Sequence, residues 1–271
     1  MIVRFWGTRG SIPTSGPNFV EFGGNTPCLS IKLKSTKEMV IFDAGTGIRE
    51  LGMDIFKTNP DCKVLHLFLT HAHWDHIQGF PFFGPAYHPD YKVNIYCSKE
   101  AEPFLSGQMS PPFFPVGLEA MPALNSFNLL DHDSPTKIGD ATISSIPLPH
   151  PQESTGFRID EGETSFVFAT DTEHQPPDMN KRLVKFASGC DALVYDAQYT
   201  EAEYFNGREG WGHSTYNEGV RLAQTCGAKK LILFSHDPSH DDAVCLKIEQ
   251  DAQKIFPNAI AARQGLLLDL D

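Results

Sequence analysis

Short apolar runs, interrupted by glycine-rich and polar turns, dominate the first third of the chain. Residues 2–6, 27–34 and 38–43 have the length and the β-branched and aromatic content of strands, and residues 64–69 predict a fourth. A helix is predicted over residues 47–56, between the third and the fourth strand. This part of the chain is therefore expected to form a sheet with a helix packed on it.

The second part of the chain repeats this design. Strands are predicted near residues 140–146, 155–160, 164–170, 191–196, 231–235 and 265–270. Helices are predicted near residues 178–188 and 214–226, and Ser214 is a suitable amino-terminal cap for the latter. A last long helix begins at a capping-box-like pair, Ser239 and Asp242. Its apolar stripe is assigned to the core and consists of Val244, Ile248, Ala252 and Ile255.

The two halves together predict one α+β fold. Strands mixed with surface helices are typical of a four-layer αββα sandwich, in which two mixed β-sheets pack face to face with helices outside. The chain has 271 residues, 41% of them hydrophobic, which is enough for one large core of this kind. No linker or repeat divides the sequence, so residues 1–271 are expected to form a single domain.

Charge and cysteine content narrow the choice of function. The net charge of −12 argues against a general attraction to a nucleic-acid backbone. The six cysteines are scattered without a CxxC pair, as in reduced cytoplasmic proteins. Met1 leads directly into a strand pattern, and no apolar stretch is long enough to span a membrane. We therefore expect a cytoplasmic protein without a membrane partner.

The stretch from His71 to His76, which reads HAHWDH, directly follows the strand predicted over 64–69. Imidazole and carboxylate groups at this density suit a divalent transition metal such as zinc. One ion cannot easily take all four side chains from so short a segment, but two adjacent ions can, and a two-metal site is suited to hydrolysis. The alternative is a polar loop that happens to contain three histidines.

Distant partners favour the metal interpretation. His150, Asp171 and His236 each follow a run that predicts a strand. Ligands at strand ends are held by a rigid sheet, which is how a scaffold fixes a metal site. The sequence therefore predicts that these three side chains converge on the HAHWDH loop.

With these residues the chain resembles the metallo-β-lactamase superfamily of metal-dependent hydrolases, and the resemblance covers nearly its whole length. The resemblance implies the sandwich fold and two divalent metal ions with separate ligand sets, His71, His73 and His150 for the first and Asp75, His76 and His236 for the second. It also implies that Asp171 bridges the two ions opposite a hydroxide that attacks the substrate. Asp43 is expected to fix the motif loop without touching metal. Zinc is the expected metal, with manganese or iron as alternatives.

A second segment, Gly212-His213-Ser214-Thr215, is similar to the GHST segments of the phosphodiesterase branch of the superfamily, which includes ribonuclease Z and cyclic phosphodiesterases. Phosphodiester cleavage expels a poor alkoxide leaving group that needs a proton. The resemblance implies that His213 is this general acid and that Asp196 orients it. With Asp75, these two residues form the expected catalytic set. The alternative is that His213 only starts the helix beside Ser214.

The expected substrate is small. Ribonuclease Z carries a long basic arm that grips transfer RNA, whereas here residues 151–170 separate His150 from Asp171 with Arg158 as their one basic residue. A small cyclic phosphodiester, such as a cyclic nucleotide or a phosphoribosyl cyclic phosphate, is therefore predicted, and no long nucleic acid. Relatives of this kind are often homodimers, so a homodimer is a further expectation.

An aromatic and proline-rich segment, about residues 80–125, follows the metal motif and could form a wall of the cleft. Its candidates for substrate contact are Phe82, Phe83, Phe113 and Phe114. Ordinary core packing under a proline-stiffened loop explains the same residues equally well.

Two other classes of function remain open at this point. One is a hydrolase acting on acyl carbon, either a thioesterase like glyoxalase II or a lactonase, which does not need the acid at His213. The other is a binding protein that keeps the fold without catalysis. Such members often lose metal ligands, whereas this sequence retains a histidine or an aspartate at every ligand position that the resemblance implies.

Overall fold

Two seven-stranded β-sheets form the centre of the structure, a computed structural model that describes residues 1–174 and 177–270, with backbone only for 177–179. The first sheet contains β1 (Ile2–Gly7), β2 (Cys28–Lys32), β3 (Met39–Phe42), β4 (Val64–Phe68), β5 (Lys92–Cys97), β6 (Leu124–Leu129) and β14 (Leu267–Asp269). The second contains β7 (Thr136–Ile138), β8 (Ala141–Leu148), β9 (Ser154–Glu161), β10 (Thr164–Ala169), β11 (Ala192–Asp196), β12 (Leu231–Phe234) and β13 (Ala259–Ala261).

Both sheets are mixed. The order of the first is β14-β1-β2-β3-β4-β5-β6, and its strands from β3 to β6 run parallel. The order of the second is β13-β12-β11-β10-β9-β8-β7, and its strands from β10 to β13 run parallel. Because parallel strands end at the same edge of a sheet, residues that follow β3, β4, β10, β11 and β12 lie at common edges.

Seven α-helices accompany the sheets among the described residues. They are α1 (Gly47–Thr58), α2 (Trp74–Ile77), α3 (Ala101–Gln108), α4 (Pro177–Phe186), α5 (Glu201–Phe205), α6 (Tyr216–Cys226) and α7 (Asp242–Gln253). Short 3-10 turns cover Phe80–Phe82, Gly84–Tyr87 and Leu118–Ala120. Within the described ranges, no helix combines the length and the apolar character that crossing a bilayer requires.

Three apolar clusters explain the layering. One cluster joins the inner faces of the two sheets, where the Phe42 ring stacks on Phe157 at 4.9 Å and on Phe168 at 5.3 Å between centroids. A second cluster packs α1 and α3 against the outer face of the first sheet, and a third packs α6 and α7 against the outer face of the second. The predicted four-layer αββα sandwich is confirmed. That residues 1–271 form a single domain stays a prediction.

The segment 80–125 is more regular than its composition suggested. It contains β5, α3 and the start of β6, which the aromatic and proline-rich character concealed. In β5 the burial alternates along the strand, as expected for an edge-proximal strand with one covered face. Phe83 is fully buried in the outer cluster of the first sheet, so core packing is the correct interpretation for this side chain. Phe82 and Phe113 are exposed.

Two predicted helix starts are corrected. The cap of α6 is Thr215, whose side chain accepts from the Glu218 amide, and Ser214 instead bonds Tyr195. The cap of α7 is Asp241, and the Asp242 carboxylate accepts from the amides of residues 20–22 instead. Of the stripe assigned to the core of α7, Ile248 and Ala252 are buried, whereas Val244 and Ile255 are exposed.

Candidate metal and catalytic site

The site lies where strand ends of both sheets meet. The HAHWDH loop leaves β4 and continues into α2, so its metal-type side chains start from a rigid strand end. Asp43 follows β3, His150 follows β8, and Asp171 follows β10. The sheets therefore bring together six of the seven predicted metal ligands, four from the HAHWDH loop and two, His150 and Asp171, from distant segments.

Two groups of donor atoms share Asp171. In the first group one ligand atom from each residue lies within 4.8 Å of the others, and its members are His71, His73, His150 and Asp171. The second group has the same spacing and consists of Asp75, His76 and Asp171. The Asp171 Oδ2 atom lies 3.6 Å from His71 Nε2 and 3.3 Å from His76 Nε2. Asp171 therefore belongs to both donor groups, and its predicted role as the bridge between two ions stays a prediction.

The imidazoles are oriented so that one nitrogen of each ring faces the group. His150 Nδ1 is paired with the Gly212 carbonyl at 2.8 Å, and His76 Nδ1 is paired with Asp43 Oδ2 at 2.8 Å. The Nε2 atom of His71 is buried without a hydrogen-bond partner in the described part of the chain. A buried ring nitrogen without a partner costs free energy unless a ligand satisfies it, and a divalent metal does so.

Asp43 contacts both the start of the motif loop and His76, as a supporting residue would. One of its oxygens accepts from the Thr70 amide at 2.8 Å, and the other holds His76. Thr70 Oγ1 lies 3.0 Å from His71 Nδ1, so it links the strand end to the first histidine of the motif. Thr70 was not singled out from the sequence. Its position between the strand and the motif was the available signal.

The pKa directions agree with a cation site. Burial, together with the positive charge of His76, holds the pKa of His71 well below its usual value, so this imidazole is neutral and able to bind metal. Burial also lowers the pKa of His76, but the carboxylates of Asp171 and Asp75 outweigh it, and that pKa is raised. The cluster therefore carries a surplus of negative charge that a divalent cation would neutralise.

The predicted acid and its orienting carboxylate are in contact. His213 Nδ1 lies 2.7 Å from Asp196 Oδ2, and Asp196 is fully buried. Asp196 also accepts from the backbone amides of Asp171, Gln198 and Ser214, which fixes the carboxylate between the acid and the bridging position. Burial lowers the pKa of His213, but the Asp196 and Asp171 carboxylates outweigh it and raise this pKa to about 9. His213 therefore carries a proton at neutral pH.

His236 is not brought to the metal groups, contrary to its predicted place. Its Nε2 donates to the Ala262 carbonyl at 2.8 Å, and its ring packs edge-on against Phe22 at 5.7 Å. Burial lowers its pKa to about 3, so the ring is a neutral packing group. The physical reason is that successive side chains at a strand end point in opposite directions. A residue one position away from the one that faces the site therefore points away from it. The second group therefore has three protein donors.

Gly212 holds the segment before His213 against the first metal group. Its φ is +85°, and a Cβ at this position would lie 2.3 Å from His150 Nδ1. Glu173 accepts from the Gly210 and Gly212 amides and from Tyr204, which ties the same segment to the end of β10. Glu173 and Gly212 were not assigned roles from the sequence, since their contacts exist only in the folded chain.

Replacement of Gly212 by alanine is expected to displace His150 and to weaken metal binding at the first group by about tenfold or more. Gly210→Ala is the matched control, because Gly210 has a φ of +81° and nothing within 4 Å of its Cβ position. Both variants carry similar backbone strain, of about 1–2 kcal/mol. Calorimetric titration with zinc measures the change in metal affinity, and thermal unfolding measures the loss of stability caused by backbone strain. Equal metal affinity in the two variants would contradict the role given to Gly212.

A cavity adjoins His213. Its volume is about 280 Å³, and its lining includes Ser11, Gln198, Tyr199, Arg208, Trp211 and His213. The Arg208 guanidinium lies 4.4 Å from the centre of the Trp211 ring and has no carboxylate partner among the described residues. Trp211 is half exposed at the cavity rim. An aromatic face and an available cation thus stand next to His213.

Comparison with known proteins agrees with this arrangement. A beta-lactamase superfamily domain matches residues 38–236, and the chain belongs to this superfamily. A protein named ribonuclease Z from Prochlorococcus marinus (strain MED4) is 25% identical and is aligned over the full length of both chains. A protein named ribonuclease BN from Cronobacter sakazakii is 24% identical, with 99% of each chain covered.

Solved structures show the same fold. The metallo-beta-lactamase fold protein YhfI from Bacillus subtilis superposes with a TM-score of 0.73 at 17% identity, covering 98% of both chains. The short form of human tRNase Z gives 0.71 at 19% identity over 100% of both chains. A diphosphatase from the PhnP family gives 0.71 at 17% identity, covering 100% of this chain and 98% of the other.

Proposed function

We propose that this chain is a metal-dependent phosphodiesterase that cleaves a small cyclic phosphodiester. The observation that carries the proposal is the His213–Asp196 pair, joined at 2.7 Å and grouped with Asp171 beside the histidine cluster. The names of the sequence relatives, ribonuclease Z and ribonuclease BN, support phosphodiester chemistry. Three histidines with a carboxylate suit zinc, and manganese and iron accept the same donors.

The chain's own residues supply the acid half of the reaction. Bound metal at the two groups would polarise the phosphoryl group and make water a nucleophile at neutral pH. This water would release one proton to solvent, and its oxygen would form a bond to phosphorus as the bond to the leaving oxygen breaks. His213 holds a proton on the ring nitrogen that does not face Asp196, and this proton passes to the leaving oxygen. Asp196 keeps the other nitrogen protonated and stabilises the charged ring.

The acid distinguishes this proposal from acyl hydrolysis. An alkoxide leaving from phosphorus is a strong base that departs slowly without a proton, whereas a thiolate leaves readily. A buried imidazolium paired with a carboxylate can supply this proton in phosphodiester cleavage. For this reason the thioesterase and lactonase hypotheses rank below the phosphodiesterase hypothesis.

The proposed substrate is small because residues 151–170, between His150 and Asp171, contain no extended basic region. Strands β9 and β10 form a tight hairpin between His150 and Asp171, and its one arginine, Arg158, is paired with Asp160 at 2.9 Å. The alignment with the Prochlorococcus ribonuclease Z runs over 329 positions, more than the 271 residues of this chain, so that relative has insertions that this chain lacks. The net charge of −12 points the same way.

The cavity beside His213 is proposed to receive the base or sugar of the substrate. The Trp211 ring offers a stacking face, and Arg208 offers a positive charge for a polar or anionic edge. A cavity of about 280 Å³ is of a size suited to a single ring system. His213 also lines this cavity, so a base or sugar bound there would lie next to the proposed acid.

Replacement of Trp211 by alanine is expected to raise KM for a cyclic nucleotide by about 5–150-fold, which corresponds to the 1–3 kcal/mol typical of base stacking. The value of kcat should change little, because the acid and the metal groups stay in place. Phe205→Ala is the control, since Phe205 is a similarly exposed aromatic side chain that does not line this cavity. An equal effect of both variants would argue against stacking at Trp211.

The test of the proposed function is a substrate panel on protein with quantified metal content. Bis-p-nitrophenyl phosphate, 2′,3′- and 3′,5′-cyclic nucleotides and a phosphoribosyl cyclic phosphate are compared with a thioester, a lactone and a transfer-RNA precursor. Turnover of cyclic phosphodiesters that stops on chelation and returns with zinc or manganese supports the proposal. Turnover confined to the acyl substrates, or to the RNA, would overturn it.

A further inference from the structure

We propose that the two metal positions are unequal, with the first ion held tightly and the second held weakly because Ser235 occupies the place of a fourth ligand. The first group offers three imidazoles and one carboxylate, whereas the second offers His76, Asp75 and a share of Asp171. The proposal concerns metal binding alone and does not depend on which ester the enzyme cleaves.

The strand register shows which residue of β12 faces the site. Ala169 of β10 pairs with Tyr195 of β11, and Tyr195 pairs with Leu233 of β12. Two residues further along the strands, Asp171 and Ser235 therefore stand at the same level of the sheet. Both have left-handed backbone conformations, with φ of 52° and 61°. Equal level and equal conformation give the same side-chain direction, so Ser235 is the counterpart of the bridging Asp171.

The next residue, His236, points away from the site. Its ring lies against Phe22 and bonds the Ala262 carbonyl, which belongs to the region after β13. The side chain of His236 could turn toward the second group only if the end of β12 moved. His236 therefore cannot reach that group while these contacts persist.

A chain of hydrogen bonds through uncharged side chains connects Ser235 to the second group. The Ser235 hydroxyl contacts Gln198 Oε1 at 3.2 Å, and the Gln198 amide donates to the Ser11 hydroxyl at 3.3 Å. The Ser11 amide then donates to Asp75 Oδ2 at 2.8 Å. Serine and glutamine are poor ligands for first-row transition metals compared with imidazole, thiolate or carboxylate. This network therefore occupies the flank of the second group without adding a donor of comparable strength.

The first experiment measures stoichiometry and affinity on the wild-type chain. After long dialysis against metal-free buffer, elemental analysis is expected to find about one zinc ion per chain. Calorimetric titration of the chelated protein with zinc should show a second class of sites at least about tenfold weaker than the first. Two ions retained with equal affinity would overturn the inequality. Absence of any zinc binding would overturn it together with the metal-dependent function, so the two failures are distinguishable.

The second experiment tests the position of Ser235 directly. Ser235→Cys changes one atom, is sterically mild, and offers a thiolate, a strong ligand for zinc and cobalt. With Co²⁺, this variant is expected to show a thiolate-to-cobalt charge-transfer band in the near ultraviolet and to retain about two ions per chain. Wild type is the control for the band, since no cysteine lies in a candidate metal group among the described residues.

The matched variant at the neighbouring position is His236→Gln, whose side-chain amide can still donate to the Ala262 carbonyl. Its zinc content and affinities are expected to equal those of wild type, with loss of thermal stability as the only change. Loss of one ion in His236→Gln would overturn the proposal, as would the absence of a charge-transfer band in a folded Ser235→Cys protein.

Discussion

Replacing His213 by alanine is expected to lower kcat by about 10²–10⁴-fold on cyclic nucleotides, the range typical of a lost general acid. The same variant should retain much more of its activity on bis-p-nitrophenyl phosphate, because p-nitrophenolate leaves without a proton. The contrast between the two substrates follows from the place of His213 next to Asp171 and its bond to the buried Asp196. Steady-state kinetics on both substrates, with metal content matched, measure it.

The pH dependence supplies an independent check on the same residue. A general acid must carry its proton, and the pKa of His213 stands at about 9 because the Asp196 and Asp171 carboxylates outweigh its burial. The rate should therefore be lost as the pH rises through the pKa of His213. A bound cation beside Asp171 would offset that carboxylate and lower this pKa, so the loss is expected at or below about pH 9.

The control for this assignment is His174→Ala, because His174 bonds Ser214 close by without lying in any of the candidate metal or acid groups. Its kcat is expected to stay within about tenfold of wild type. An equal loss on both phosphodiesters in His213→Ala, or an alkaline limb that persists in that variant, would return His213 to a structural role at the start of α6.

Replacement of Asp171 by asparagine is expected to weaken binding of both metal ions by more than about 100-fold, beyond the loss usual for supporting residues, and to abolish turnover. Asp171 belongs to both donor groups, and its fully ionised carboxylate holds the negative charge that balances the cations. Burial raises its pKa, but His76 and His213 outweigh this, so the pKa lies well below its usual value. Asparagine tolerates the left-handed conformation at φ 52°, which makes it a milder change than alanine.

Calorimetric titration with zinc and circular dichroism on the same sample check this prediction. Asp90→Asn is the control, since Asp90 is an exposed aspartate before the start of β5, whereas the HAHWDH loop follows the end of the parallel strand β4. A folded Asp171→Asn protein that retains full metal content and full activity would contradict the bridging position.

The fold and most of the site were accessible from the sequence because they rest on local patterns. β3 and β4 are largely apolar runs, and the donors of the HAHWDH loop follow β4 directly. The end of the strand and the candidate metal ligands can therefore be predicted from the same stretch of sequence. Asp171 and His150 were found in the same way. Strand β5 and helix α3 were missed, since the surrounding phenylalanines and prolines masked the alternation that their burial shows.

The sequence by itself determined the sandwich, and it singled out six candidate metal donors and the His213–Asp196 pair that the structure brings together, since each follows or precedes an element with a clear hydrophobic pattern. Only the tertiary structure decided between Ser235 and His236, which are neighbours in sequence but face opposite ways. The contact of Gly212 with His150 and the cavity at Trp211 were likewise decided by packing. The physical reason is that side-chain direction at a strand end depends on register and backbone conformation, which are set by pairing across the sheet.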